Sequence, residues 1–372
     1  MEYGYEDDTL RRMRRERRRK EMRRRRKRRA VVRRAVLWGM LAVIAAAALL
    51  IVLRREKTEA TPGKGTMPPA VREALAAAAA DRQAGAGEAS AGDQEQEEAP
   101  VTYSYTDAED MLRLDGELVS SHAIFVDVED GKILAGKEER SRMIPASMTK
   151  VLTLLTAVER IENLDDQFAV PSEAVDYSFK NRCSCAGFEK EELVTVRDLL
   201  YGTVLPSGAE AAMGLAIYVS GSQEAFVELM NEKLTELGLS ETAHFTNCVG
   251  VYGDDHYCTA YDMAVIMKAA LDNETCREVL SARTYLTSKT EQHPEGLLLS
   301  NWFLRRIEDK DTGGKVSAAK TGFVDEAKFC AVSYGTGADG RAYICVTADA
   351  PGNWKCINDH VWLYSHFSGA AQ

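Results

Sequence analysis

Nineteen consecutive residues, Ala35 to Leu53, carry no charge, and arginines bracket them: Arg33 and Arg34 before, Arg54 and Arg55 after. At 1.5 Å per residue a helix of this length spans roughly 28 Å, close to the ~30 Å hydrocarbon core of a bilayer. The run reads as a single transmembrane helix, and it divides the chain into parts that fold in different surroundings. Residues 1–34 hold 17 Lys/Arg against 6 Asp/Glu, and the rest of the chain carries −21, so the net charge of −10 averages two unlike pieces. The basic arm predicts a cytoplasmic N-terminus and an extracytoplasmic remainder. A cleaved signal peptide competes with this, but its apolar region is about 7–15 residues behind a short basic segment. The longer run and longer arm favour an uncleaved anchor. Nucleic-acid binding by Arg11–Arg29 competes too. A basic run beside a span is more simply a topology signal and a lipid headgroup contact, so no nucleic-acid partner is expected.

Four regions follow: a basic arm at 1–34, the transmembrane helix at 35–53, a flexible linker at 54–104 and a globular domain at 105–372. The linker contains a turn cluster, Thr61-Pro62-Gly63-Lys64-Gly65, and an Ala-rich stretch, 73–81, that reads as a lone helix. Ala84 to Pro100 has no large apolar residue and cannot bury a core. As a coil the linker reaches roughly 40 Å, enough to lift a domain off the membrane.

In the globular part, Ala123–Val128 and Lys132–Ala135 read as strands about the turn Glu129-Asp130-Gly131. From Ser147 the pattern is helical, with Met148, Val151, Leu152, Leu155, Val158 and Ile161 at three- and four-residue spacing. Helices are expected at about 195–205, 209–220, 223–238 and 259–272, the last opening on a Thr259–Asp262 capping box. Val316–Phe323, Phe329–Tyr334 and Ala342–Ala348 read as strands, with Gly335–Gly340 as a hairpin loop and a final helix at 354–367. Early and late strands then meet in one antiparallel sheet with flanking helices and a helical subdomain, an α+β fold.

Chemistry concentrates in three segments. Ser147 follows Pro145-Ala146, and Lys150 lies one helical turn on, so its amine comes beneath the hydroxyl. A serine hydroxyl is a poor nucleophile until a base takes its proton, and a lysine serves as that base only when burial or a nearby cation lowers its pKa. Backbone N–H groups at a helix start suit a developing oxyanion. Taken alone, the four residues are more simply an N-cap serine ahead of an exposed lysine. The second segment, Leu205-Pro206-Ser207-Gly208-Ala209-Glu210, is a turn into a helix. The third, Lys320-Thr321-Gly322, lies on the first late strand: a cation and a hydroxyl suited to a carboxylate, and a glycine that lets substrate approach the backbone.

Serine, lysine and glycine motifs in this order form the signature of penicillin-recognising serine enzymes. Over about residues 115–368 the chain resembles the low-molecular-weight penicillin-binding proteins, the serine D-alanyl-D-alanine carboxypeptidases. Ile144–Lys150, Val194–Gly202, His244–Asn247 with His256–Asp262, and Ala319–Gly322 carry the resemblance. It implies a β-lactamase/penicillin-binding transpeptidase-like fold and removal of the terminal D-alanine from peptidoglycan stem peptides ending in D-Ala-D-Ala. Ser147 would be the nucleophile, Lys150 the base and Ser207 a proton shuttle to the leaving amine. Lys320 and Thr321 would hold the substrate carboxylate, beside Gly322. The Ser147 and Phe323 N–H groups would form the oxyanion hole. β-Lactams would be covalent inhibitors, and neither cofactor nor metal is implied. The family often adds a β-rich domain and a C-terminal amphipathic anchor. Here the chain stops soon after His366, and the 35–53 span is expected to take over anchoring in the lipid bilayer.

One position departs. The family's second motif usually reads Ser-Gly-Asn, and here the third residue is Ala209. The missing amide must be replaced, with Asn301 the candidate, or the protein is a weak or inactive penicillin- or peptidoglycan-binding protein. A β-lactamase needs a further general base, and Glu241 stands near the right distance without the expected Leu and Asn after it. All eight cysteines lie between Cys183 and Cys356. Cys330 and Cys345 sit symmetrically about the Gly335–Gly340 loop and should face each other across the hairpin, either as a cross-strand disulfide or as small buried residues. Cys248 could pair with Cys258, or with Cys183 or Cys185. The histidines are scattered and no cysteine pair has metal spacing.

Overall fold

The structure, a computed structural model, describes residues 103–368. The basic arm 1–34, the transmembrane helix expected at 35–53, the lone helix at 73–81 and the linker up to residue 102 lie outside the described residues. Within them, no helix is long and apolar enough to cross a membrane.

The chain runs β1 (Thr106–Arg113), β2 (His122–Asp127), β3 (Lys132–Lys137), a 3₁₀ turn (Ala146–Thr149) and α1 (Lys150–Val158). A mainly helical block follows: β4 (Gln167–Ala169), α2 (Ser172–Lys180), β5 (Leu193–Thr195), α3 (Val196–Val204), α4 (Ala209–Ser220), α5 (Gln223–Glu236), α6 (Ala260–Asp272), α7 (Glu274–Ser281), β6 (Thr284–Leu286), β7 (Leu298–Ser300) and α8 (Leu304–Ile307). Three long strands, β8 (Gly314–Val324), β9 (Lys328–Gly337) and β10 (Ala342–Ala350), precede the last helix, α9 (Asn353–Phe367).

Early and late strands join as expected, in one six-stranded sheet of order β1-β3-β2-β10-β9-β8. The seam is the antiparallel pair of β2 with β10, in which Val126 faces Ile344. β1 was not anticipated. It pairs parallel to β3 at the sheet's edge, and its acidic, mostly exposed sequence suits an edge strand that must not recruit another chain.

Alternation along the strands loads both faces. Ile124, Val126, Val332, Ile344 and Val346 pack against the helical block, whereas Phe125, Tyr343 and Cys345 pack under Leu363 and Tyr364 of α9. α1 is buried from Lys150 to Ala157, so Val151, Leu152, Leu154 and Leu155 find apolar neighbours on every side. That central position carries the residue at its start into the protein interior. The capping box on α6 forms as the sequence predicts: Asp262 N donates to Thr259 Oγ1 at 3.0 Å, and Thr259 N to Asp262 Oδ2 at 2.8 Å.

The expected face-to-face placement of Cys330 and Cys345 is corrected. β9 continues to Gly337, so the hairpin is centred later than the glycine pattern suggests, and Cys345 lies opposite Ser333. Such an odd-numbered offset of three puts two side chains on opposite faces of a sheet. Cys330 packs in the core on the helical side and Cys345 under α9, both as free thiols.

Candidate active site

Ser147 sits inside the 3₁₀ turn, one turn ahead of α1, and is half-buried at the floor of a cleft. Ala146 before it takes φ +45°, a left-handed conformation that costs energy without a glycine. Packing holds it there. A Cβ on Gly250 would stand 1.9 Å from the Ala146 carbonyl oxygen, so only glycine allows the 249–251 turn to press against this residue. Asn247 builds that turn: its Oδ1 accepts from the Val249, Gly250 and Val251 amides at 3.1, 2.7 and 3.0 Å. The result presents the Val249 carbonyl to the interior.

Lys150 uses it. Its Nζ donates to Ser147 Oγ at 3.0 Å and to the Val249 carbonyl at 2.7 Å, and the side chain is 1% exposed. Burial lowers its pKa from the usual 10.5 to about 8, against a partial counter-pull from nearby thiols and Glu210. A lysine so placed sheds its proton far more readily than an exposed one, and its free amine would face the Ser147 hydroxyl.

Lys320 on β8 reaches the same interior from the other side. Its Nζ donates to Ser207 Oγ at 2.9 Å and to the Thr321 carbonyl at 2.7 Å. Burial, and then the charge of Lys150, hold its pKa well below the usual lysine value. Ser207 is itself left-handed, at φ +64°, so a second non-glycine residue of the motifs is held in a strained conformation.

The strand edge closes the site. A Cβ on Gly322 would lie 2.9 Å from Ser147 N and 2.9 Å from the Pro145 carbonyl, so β8 passes directly against the Ser147 amide. Ser147, Ser207, Thr321, Gly322 and Phe323 line one cavity of about 310 Å³, with the 181–184 loop on one wall and Trp302, Arg306 and Asn353 on another. Lys150 and Lys320, both buried, reach the cavity through their hydrogen bonds to its lining residues Ser147 and Ser207.

A chain with this pair of serine–lysine contacts, on this sheet, can be matched to known proteins. The profile of a family described as D-alanyl-D-alanine carboxypeptidase matches residues 107–352, more than half of the chain. The chain belongs to this family. D-alanyl-D-alanine carboxypeptidase DacF of Bacillus subtilis is 30% identical over 233 residues, 62% of this chain and 57% of that protein, so the match spans little more than half of that relative's length. D-alanyl-D-alanine carboxypeptidase of Streptomyces sp. K15 is 33% identical over 215 residues, 54% of this chain and 71% of that one. The crystal structure of the Streptomyces K15 DD-transpeptidase superimposes with a TM-score of 0.60 at 26% identity, covering 68% of this chain and 99% of that one.

Against the family's usual second motif, Ala209 is fully buried and contributes only its amide, which donates to the Ser184 carbonyl at 2.9 Å. Asn301 does not replace the missing side chain. Its Nδ2 donates to the Ala319 carbonyl and its Oδ1 caps the Phe303 and Leu304 amides, which ties α8 to the edge of β8. The acceptor that Lys150 meets is the Val249 carbonyl. The sequence held a signal for it, an Asn three residues before a Gly, which is turn chemistry. Nothing local shows that this turn lies under α1.

Glu241 is exposed in the turn after α5 and does not line the cavity, which removes the general base a β-lactamase reading needs. Among the described residues no group of three His, Cys, Asp or Glu side chains could hold a metal ion. Cys183 and Cys185 are free, and Cys183 lines the cleft.

Proposed function

We propose that this chain is a serine D-Ala-D-Ala carboxypeptidase, which removes the terminal D-alanine from peptidoglycan stem peptides and is acylated by β-lactams on Ser147. The observation that carries this reading is the 3.0 Å contact between Lys150 Nζ and Ser147 Oγ, with the amine buried and its pKa lowered to about 8.

The chemistry follows from the placement. Lys150, deprotonated, takes the Ser147 proton as Oγ attacks the carbonyl of the penultimate D-alanine. The carbonyl oxygen becomes an oxyanion and accepts from the Ser147 and Phe323 N–H groups. The proton passes by way of Ser207 to the leaving amine, and D-alanine departs. Water then attacks the acyl ester, Lys150 again takes the proton, and the shortened peptide leaves. Thr321 offers its hydroxyl to the substrate carboxylate, in the positive field of Lys320. The Val249 carbonyl orients the base amine, so the loss of an amide at position 209 leaves Lys150 with two partners.

The test uses the full chain in detergent, with labelled penicillin and with a peptide ending in D-Ala-D-Ala. A stable adduct and D-alanine release, both abolished in Ser147→Ala, are expected. Binding of the peptide without release of D-alanine would instead favour the non-catalytic binding protein that Ala209 suggests.

The 35–53 run, too, we read as an anchor that holds this domain outside the membrane, with the N-terminus in the cytoplasm. The charge asymmetry across it supports that. Full-length protein in the membrane fraction, with residues after 54 open to external protease, is the expected result. A mature protein that starts beyond residue 54 overturns it.

A further inference from the structure

Two turns press together behind Ser147. One is the 3₁₀ turn Ala146–Thr149, which leads into Lys150. The other, at 247–251, brings the Val249 carbonyl to Lys150 Nζ. The two lie about a hundred positions apart, so side chains must set their separation. Thr153 Oγ1, one turn into α1, donates to the Cys248 carbonyl at 2.7 Å. A second tie runs through His256.

His256 is 1% exposed and reaches both turns with its two ring nitrogens. The Thr246 amide donates to Nδ1 at 3.1 Å. A backbone N–H only donates, so Nδ1 is the bare nitrogen and Nε2 carries the hydrogen. Nε2 then donates to Thr149 Oγ1 at 2.8 Å. Asn247, whose Oδ1 shapes the Val249 turn, directs its Nδ2 to the same Nδ1 at 3.3 Å and to the Val251 carbonyl at 2.9 Å. The ring stacks on Phe245 with centres 4.9 Å and planes 14° apart, which fixes its tilt. Burial, and then His244, lower the His256 pKa to about 3, so the ring stays neutral and keeps this tautomer at working pH.

We propose that His256 is a positioning residue of the site: by joining Thr149 to Thr246 and Asn247 it sets the separation of the Ser147 turn from the Val249 carbonyl, and so the 3.0 Å approach of Lys150 Nζ to Ser147 Oγ. This rests on the carboxypeptidase reading of the site. Neither His256 nor Thr149 lines the cavity, so the link acts on proton transfer and not on substrate binding.

The experiment measures kcat and KM for D-alanine release from a D-Ala-D-Ala peptide, penicillin acylation of Ser147 and thermal unfolding, all on the full chain in detergent. Thr149→Val removes the hydroxyl and keeps its shape, whereas Thr149→Ser keeps the hydroxyl. His256→Phe keeps a ring against Phe245 and removes both nitrogens. Thr149→Val and His256→Phe should each lower kcat and the acylation rate about 10–100-fold, as a small misplacement of reacting groups does, with KM little changed. The double variant should lose no more than the worse single, since one link is cut twice. Thr149→Ser should retain most of the rate. If Thr149→Val or His256→Phe does not fold, the other is read against Thr149→Ser. A lowered unfolding temperature with kcat unchanged makes the link structural only and overturns the assignment, as does an equal loss of kcat in Thr149→Ser and Thr149→Val. A wild-type chain that neither releases D-alanine nor is acylated overturns the carboxypeptidase reading and this assignment together.

Discussion

Lys320 and Ser207 stand 113 positions apart in the chain, and their Nζ and Oγ atoms lie 2.9 Å apart. The contact joins the edge strand of the sheet to the turn that opens α4, and it is buried. It gives Ser207 a hydrogen-bond donor and leaves the serine's own proton free to move.

Ser207 can be tested with stability and activity separated. Its φ of +64° favours glycine, and a left-handed residue costs roughly 1–2 kcal/mol when it has a Cβ. Ser207→Gly should keep or slightly raise the unfolding temperature while D-alanine release falls about 100-fold. Ser207→Ala should lose the same activity and keep the strain. Thermal unfolding beside steady-state release reads both, and an active Ser207→Gly would exclude the hydroxyl from proton transfer.

The buried base sets the pH profile. With the Lys150 pKa lowered to about 8, the neutral amine becomes the major form only above that pH. Penicillin acylation of Ser147 should rise with pH and level off beyond about 8. The apparent midpoint belongs jointly to Lys150 and Lys320, since their charges interact. For stability the sign is fixed as well. Between about pH 8 and 10.5 the unfolded chain binds more protons at this lysine than the folded one, so its contribution to stability rises with pH across that window. Second-order acylation rates from pH 6 to 10 provide the check; a flat profile contradicts the assignment of the base.

Gly322 should tolerate no side chain. A Cβ there meets Cys330 Sγ at 2.6 Å, the Pro145 carbonyl at 2.9 Å and Ser147 N at 2.9 Å. Gly322→Ala is expected to destabilise by about 1–3 kcal/mol through overpacking and to suppress acylation. Adding Cys330→Ala removes one clash of the three and should recover stability only in part. Full recovery of acylation in the double variant would show that β8 does not press on the nucleophile's amide. Denaturant unfolding and adduct formation measure the two effects.

The thiols should divide sharply. Six of the eight cysteines are buried, whereas Cys185 is exposed and Cys183 half-buried. Burial pushes the Cys183 thiol up and the Cys185 thiol up to about 11, so neither is fast to react. A maleimide on the folded chain should label these two alone, and labelling of Cys183 should block acylation because it lines the cleft. Peptide mapping by mass spectrometry decides; labelling of Cys330 or Cys345 in the folded state contradicts the packing.

Much of the molecule was legible before any coordinates. Ser147, Lys150, Ser207 and the Lys320–Gly322 segment stand out by their order along the chain, since the serine–lysine spacing alone is ambiguous, and period-two and period-3.6 hydrophobicity mark the elements that carry them. The capping box at Thr259 and Asp262 is legible because it is completed within four residues. β1 was hidden since its acidic sequence is stabilised by a neighbour and not by its own alternation.

What depended on tertiary structure is which partners those residues meet. Val249 reaches Lys150 across 99 positions and Lys320 reaches Ser207 across 113, and no local spacing encodes either. Asn301 was a reasonable substitute for the missing amide by type, but packing assigns it to the edge of β8. The residues themselves determine which groups can carry a proton or a charge. The burial that shifts a lysine's pKa and the register that separates Cys330 from Cys345 arise only when distant segments close over one another, because desolvation and close contact belong to the packed chain and not to any stretch of it.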